Sequence, residues 1–173
     1  RYVESSGTEV VIEGQRKLYL HPDGMLSYSG GAAEDGSLFA VAAADAAHIS
    51  RAELCAAARG LVGALTQGRI GDAALFLSGI ASDDDGATVF FDYMAGGTPI
   101  RFADGSPAAE VTLSGRAVSS LALTPRQYTS EAAAALLPLR QAMAIAGKDG
   151  GTELSIGYAD TGAYPISAVW LAD

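Results

Sequence analysis

Between Thr88 and Tyr128, apolar and β-branched runs alternate with the two-residue turn signals Gly96-Gly97, Asp104-Gly105 and Ser114-Gly115. Such a pattern predicts an antiparallel meander, because Gly and Asp-Gly supply the positive φ that tight hairpins require. The meander ends in Thr124-Pro-Arg-Gln-Tyr128. Upstream, Thr8–Glu13 and Gln15–Leu20 read as strands, and His21-Pro-Asp-Gly24 reads as a turn into Met25–Ser29. Gly30–Gly36 reads as a loop, and Leu38–Ala44 as a short strand or a helical lead-in. Ala73–Ile80 is a further strand, turned by Asp83-Asp-Asp-Gly86. Near the C-terminus, Thr152–Tyr158 alternates with Leu154, Ile156 and Tyr158 on one face, and Thr161-Gly162 turns it into Tyr164–Leu171. These two segments predict a last hairpin.

A period near 3.6 replaces the period of two at two places. Ser50-Arg-Ala-Glu53 is a capping box, in which the serine hydroxyl accepts from the Glu53 amide and the Glu53 carboxylate from the Ser50 amide. Behind it, Leu54, Ala58, Leu61, Val62 and Leu65 form one apolar stripe, and Gly68 offers a stop. A second helix is predicted from Pro138, where a missing N–H costs nothing. Leu139, Met143 and Ala146 give it an apolar side, and Gly147 ends it. The alanine-rich run Ser130–Leu137 reads as a separate short helix or a collar, since Pro138 inside one continuous helix would cost about 3 kcal/mol or more. The expected class is therefore α+β, with helices packed on antiparallel meander sheets. Residues 1–49 form a strand-rich segment completing the sheets, 50–128 a helix plus meander, and 129–173 a second helix plus terminal hairpin, all packed as one compact unit.

A chain of 173 residues buries roughly 70% of the surface its unfolded form exposes, enough for a core without covalent staples. Its 49% hydrophobic residues exclude global disorder. With 20 acidic against 11 basic residues, the formal charge is −9. No basic cluster is available to neutralise a phosphate backbone or an anionic membrane, which argues against a nucleic-acid partner. The single cysteine, Cys55, excludes an intramolecular disulfide and sits at an apolar helical position, as a small buried hydrophobe would. No apolar run approaches the roughly 18 to 20 residues of a membrane span. The chain starts at Arg1, and the expectation is that a signal peptide or membrane anchor precedes it.

Candidate chemistry is sparse. His21 and His48 lie far apart beside turn or cap regions and lack zinc-ligand spacing. Asp83-Asp84-Asp85-Gly86 lacks the alternating ligands and terminal glutamate of a calcium loop. Ser78-Gly79 sits in a strand-like run, and no Gly-x-Ser-x-Gly elbow occurs. The acidic pairs Asp45 with Glu53 and Asp104 with Glu110 read as solvated turn and cap residues rather than a glycosidase dyad. Phe90, Phe91, Tyr93, Phe102, Tyr128, Tyr158, Tyr164 and Trp170 read as core or sheet-face packing. No catalytic, cofactor-binding or metal-binding residue is nominated.

The ordered set Phe91-Asp-Tyr93, Gly97-Thr-Pro-Ile100, Phe102, Asp104-Gly105, Ala109-Glu-Val111, Arg126-Gln-Tyr128, Leu136-Leu-Pro138, Gln141-Ala142, Leu154-Ser-Ile-Gly-Tyr-Ala-Asp160 and Ala168-Val-Trp170 resembles the YycH/YycI family. These are extracytoplasmic regulatory proteins of a two-component system in Gram-positive bacteria. The likeness spans roughly Thr88–Leu171 and is closest to the YycI branch. It implies tandem cystatin-like or PepSY-like units, no enzymatic activity, and an anchored extracytoplasmic location. It also implies a protein partner, either a membrane sensor histidine kinase or a sister regulator. Two other readings of the residues stay open: a secreted inhibitor-like or propeptide-like module entering a protease with the Gly96-Gly97 or Asp104-Gly105 tip, and an enzyme with an unrecognised carboxylate site.

Overall fold

The computed structural model describes residues 1–30, 49–82, 86–115, 117–129, 136, 138–146, 154–163 and 165–172. The loop expected after Gly30, the segment Leu38–Ala44, Asp45, His48, the Asp83–Asp85 turn, most of the alanine-rich run, Gly147 and Tyr164 lie outside them. The protein is α+β. Its strands are β1 (Tyr2–Val3), β2 (Glu9–Glu13), β3 (Arg16–Leu20), β4 (Leu26–Ser29), β5 (Ala73–Ser82), β6 (Gly86–Ala95), β7 (Thr98–Phe102), β8 (Ala109–Ser114), β9 (Ala117–Leu123), β10 (Leu154–Asp160) and β11 (Ser167–Ala172). Helix α1 (Arg51–Thr66) precedes β5, and α2 (Leu139–Ala146) precedes β10.

All strands join one sheet in the order β1-β2-β3-β4-β9-β8-β6-β7-β10-β11, with β5 added on β6. The N-terminal strands form the expected antiparallel opening and connect to the rest through β4 and β9, with Leu26 opposite Leu123 and Tyr28 opposite Leu121. The terminal hairpin is also present, with Ile156 opposite Trp170.

The centre departs from a simple meander. Strand β6 pairs with β5 along nearly its whole length, Ala73 opposite Ala95 through Ser82 opposite Ala87. On its other edge Gly86–Phe91 pairs with β8, whereas Tyr93–Ala95 pairs with β7. Asp92 lies between the two pairings, so the sheet forks there. Asp104-Gly105 is thus not the tip of a paired hairpin, because it joins strands that diverge. The fork separates two cores: Val89, Phe91 and Tyr93 are all buried from β6, but Val89 and Phe91 enter one core and Tyr93 the other.

The first core packs Ala58 and Val62 of α1 against Val89, Phe91, Val111, Leu113, Val118, Leu121 and Leu123, with Leu54, Cys55, Leu61 and Leu65 around it. The predicted stripe is therefore the buried face of α1, and each fully buried Val or Leu contributes about 1.5–3 kcal/mol. The capping box forms: Ser50 N donates to Glu53 Oε2 at 2.8 Å, and Glu53 N donates to Ser50 Oγ at 3.3 Å. The second core gathers Ala73, Tyr93, Ile100, Ala108 and Tyr128. Pro138 immediately precedes α2 and its carbonyl accepts from Gln141 and Ala142, as its place at a helix start requires. Among the described side chains of α2, Ala142 is buried, whereas Leu139 and Met143 are about half exposed. One pairing is not antiparallel: β10 runs parallel to β7, Tyr158 opposite Ile100 through Asp160 opposite Phe102. Parallel neighbours need a long connection, and more than 50 residues separate Phe102 from Leu154.

Gly86 tests this architecture. A Cβ there would stand 2.0 Å from the Leu113 carbonyl oxygen, a backbone atom that moves only if β6 and β8 part. Gly86→Ala is expected to destabilise the fold by about 2–3 kcal/mol. Gly60→Ala, on the exposed side of α1 with open space around it, is expected to stabilise by about 0.5–1 kcal/mol. Urea unfolding of both variants beside the parent reads the two opposite signs.

Candidate functional site

Around the second core, polar groups from distant segments meet. The Tyr93 hydroxyl donates to the Thr124 carbonyl at 3.1 Å and accepts from the Arg126 amide at 3.2 Å. The Tyr128 hydroxyl donates to Asp160 Oδ2 at 2.7 Å, and Asp160 Oδ1 accepts from the Gly162 amide at 2.7 Å. Arg126 Nε lies 3.8 Å from the same carboxylate. The Tyr93 ring packs edge-on against Tyr128, at 5.2 Å between centroids, and against Phe102 at 6.3 Å. Tyr93 and Asp160 are buried, at 0% and 6% exposure.

The backbone of Tyr128 is equally committed. Its carbonyl accepts from Asp72 N at 2.8 Å and its amide donates to the Ile70 carbonyl at 3.2 Å. Gly71 sits between at φ +64°, and a Cβ there would meet the Tyr128 carbonyl oxygen at 2.1 Å. Glycine is required at Gly71 both by its conformation and by this close approach.

Burial pushes the Tyr128 hydroxyl well above the ordinary phenol value of 10.0, reinforced by its hydrogen bond to the Asp160 carboxylate, which only the protonated phenol can make. Tyr93 is also raised, first by burial, with the Arg126 amide and charge opposing the shift.

A second polar pair stands at the fork. The Asp92 side chain is 6% exposed and pairs with Arg101 of β7, whose side chain is 46% exposed. It opens onto a hollow of about 360 Å³ beside Phe90, Ser78 and Gly79, where β5 carries a register shift between Leu77 and Gly79.

Beyond Phe102, the segment Ala103–Pro107 forms a ridge between this hollow and a larger open cleft of about 450 Å³. Asp104 holds the ridge's turn: its Oδ1 accepts from the Ser106 hydroxyl at 2.7 Å and amide at 2.9 Å. Those bonds keep the exposed Asp104 carboxyl below its ordinary value. The larger cleft is lined by Met25, Phe102, Pro107 and Ala122 among apolar residues, and by Asp23, Asp104 and Glu110 on its acidic side. Arg126 and Asp160 also reach it.

The two acids of the Asp104–Glu110 pair thus face one cleft, although they read in sequence as unrelated turn residues. Of the Asp45–Glu53 pair, Asp45 lies outside the described residues, and Glu53 is engaged in the α1 capping box. His21 is a turn residue, with Nε2 3.0 Å from Ser27 Oγ and its ring stacked near Tyr19. Cys55 packs, half-buried, beside the first core. Ser78 is an exposed strand residue next to the β5 irregularity. Phe91, Tyr93 and Tyr128 are core residues, as expected of them, while Phe90, Phe102, Tyr158 and Trp170 are only partly buried. The Asp92–Arg101 pair is a contact that the sequence reading does not single out. Its signal was a lone acid inside the apolar run Val89-Phe-Phe-Asp-Tyr-Met94, since a carboxylate is buried only when paired.

No family model, curated protein or solved structure matches this chain.

The Tyr128–Asp160 contact makes a stability prediction. Tyr128→Phe leaves a buried carboxylate oxygen without its donor and is expected to cost about 1–3 kcal/mol at neutral pH. Below pH 10.0 both folded and unfolded phenols keep their protons, so the contribution is whole. Above it the unfolded chain releases protons that the fold retains, and stability falls by about 1.4 kcal/mol per pH unit for each raised tyrosine. Guanidinium unfolding across an alkaline pH series should show this fall, with a shallower slope in Tyr128→Phe.

Proposed function

We propose that the chain is a non-catalytic extracytoplasmic regulatory module that binds a membrane sensor histidine kinase and biases it between signalling states by protein–protein contact. Such a bias requires different affinity for the two states. The observation that carries the reading is the exposed Ala103–Pro107 ridge set against a rigid base. The polar atoms of Tyr93, Tyr128 and Asp160 are already engaged, Tyr128 with Asp160, Tyr93 with the Thr124 carbonyl and the Arg126 amide, and Asp160 also with the Gly162 amide, while the ridge and its flanking clefts stay open. The resemblance to the YycH/YycI regulators supplies the partner class. We further propose that α1 with β5, β6, β8 and β9 is one cystatin-like or PepSY-like unit, and that α2 with β10 and β11 belongs to a second. The packing of α1 on the β6–β8 region supports the first of these.

The test is reconstitution of sensor histidine kinases from the source organism in proteoliposomes, with the purified chain added on the extracytoplasmic side. Saturable binding to one of them, with a changed autophosphorylation rate, is expected. No binding to any of them overturns the kinase reading. Turnover of a glycoside, ester or peptide substrate that is abolished by replacing one acidic residue overturns the non-catalytic one.

A further inference from the structure

We infer that the 450 Å³ cleft beside the ridge receives a lysine or arginine side chain projecting from the protein partner, an inference that rests on the contact-module reading above. The cleft has a lining of two kinds. Met25, Phe102, Pro107 and Ala122 give it an apolar lining, and Asp23, Asp104 and Glu110 place carboxylates around it. An aliphatic stem carrying a terminal cation has this same division, because lysine and arginine bury their methylenes along apolar surface while the charge stays among polar groups.

Glu110 carries the argument furthest. It projects from the middle of β8, opposite Phe90 on one side and Ala122 on the other. It is only partly exposed, yet its carboxylate makes neither a hydrogen bond nor an ion pair with any described residue. The other charges of the cleft are differently placed: Asp160 is held by Tyr128, Gly162 and Arg126, and Asp104 by Ser106. A partner closing over the cleft displaces water from Glu110, and a buried carboxylate needs a cation or a donor in return. Among the described residues, Arg126 is the one basic residue lining the cleft, and its Nε faces Asp160. The whole-chain charge of −9 draws in the same kind of partner surface by steering.

The probe is a short acetylated and amidated peptide with one central lysine flanked by glycines, alongside its arginine and norleucine counterparts. Each is titrated into the ¹⁵N-labelled chain and followed by amide chemical shifts. The lysine and arginine peptides are expected to shift amides from Phe102 to Glu110 and around Ala122 and Gly162, with norleucine giving no such response. Glu110→Gln should weaken the binding about tenfold, the value of one charge-assisted contact, and Asp104→Asn should weaken it as well while the remaining spectrum stays in place. Shifts scattered over the acidic surface and indifferent to Glu110→Gln overturn the inference, as does equal binding of norleucine. The titration needs no kinase, so kinase binding without a cleft response sinks this inference alone, and a cleft response without kinase binding sinks only the partner assignment.

Discussion

The carboxylate of Asp160 stands where two separated segments of the chain must agree. One oxygen takes the Tyr128 hydroxyl and the other the Gly162 amide, with Arg126 alongside. Among the described residues, the terminal hairpin pairs with the rest of the sheet at three positions of β10 with β7. Ladder hydrogen bonds contribute about 0.5–1.5 kcal/mol net each, so so short a pairing holds weakly by itself. Leaving a buried carboxylate unpaired costs several kcal/mol. The network therefore penalises any arrangement in which the hairpin sits elsewhere, and so fixes its register on β7.

The same constraint reaches the surface through Tyr93. Its ring touches both Tyr128 and Phe102, and its hydroxyl organises the chain at Thr124 and Arg126. Phe102 ends β7, and the ridge starts one residue later. The fork at Asp92 has the complementary effect: with β7 and β8 parted, the segment joining them must cross open space. A meander with β7 and β8 paired would have closed that space with a tight turn. The clefts on both sides of the ridge are consequences of the fork, and the buried aromatic network keeps its base from shifting.

Much of this was legible in the sequence because it rests on local rules. The capping box at Ser50 and Glu53, the α1 stripe, the turn at His21–Gly24 and the terminal hairpin each follow from residues within a few positions of one another. Strand partners were not legible, since alternation reports which face is buried and not which neighbour is paired. Nothing local in Ala109–Ser114 distinguishes pairing with β7 from pairing with β6. The Asp92–Arg101 and Tyr128–Asp160 contacts were hidden for the same reason, although Arg126-x-Tyr128 and Tyr158-x-Asp160 both stood out as fragments. Asp104 and Glu110 were read as solvated acids, and only the fork brings them to one cleft.

Glu110 shows how an open cleft can select the group that fills it. In the free protein the cleft is open, so water serves the carboxylate, and the lack of a partner among the described residues costs little. Covering the cleft removes that water. A neutral or acidic surface would then leave the charge unsatisfied, at about 1–3 kcal/mol or more, whereas a cation converts the same desolvation into a paired contact. Discrimination arises as much from the penalty on wrong partners as from attraction to the right one. An acidic residue at this position on β8 thus adds specificity while asking almost nothing of the stability of the sheet that carries it.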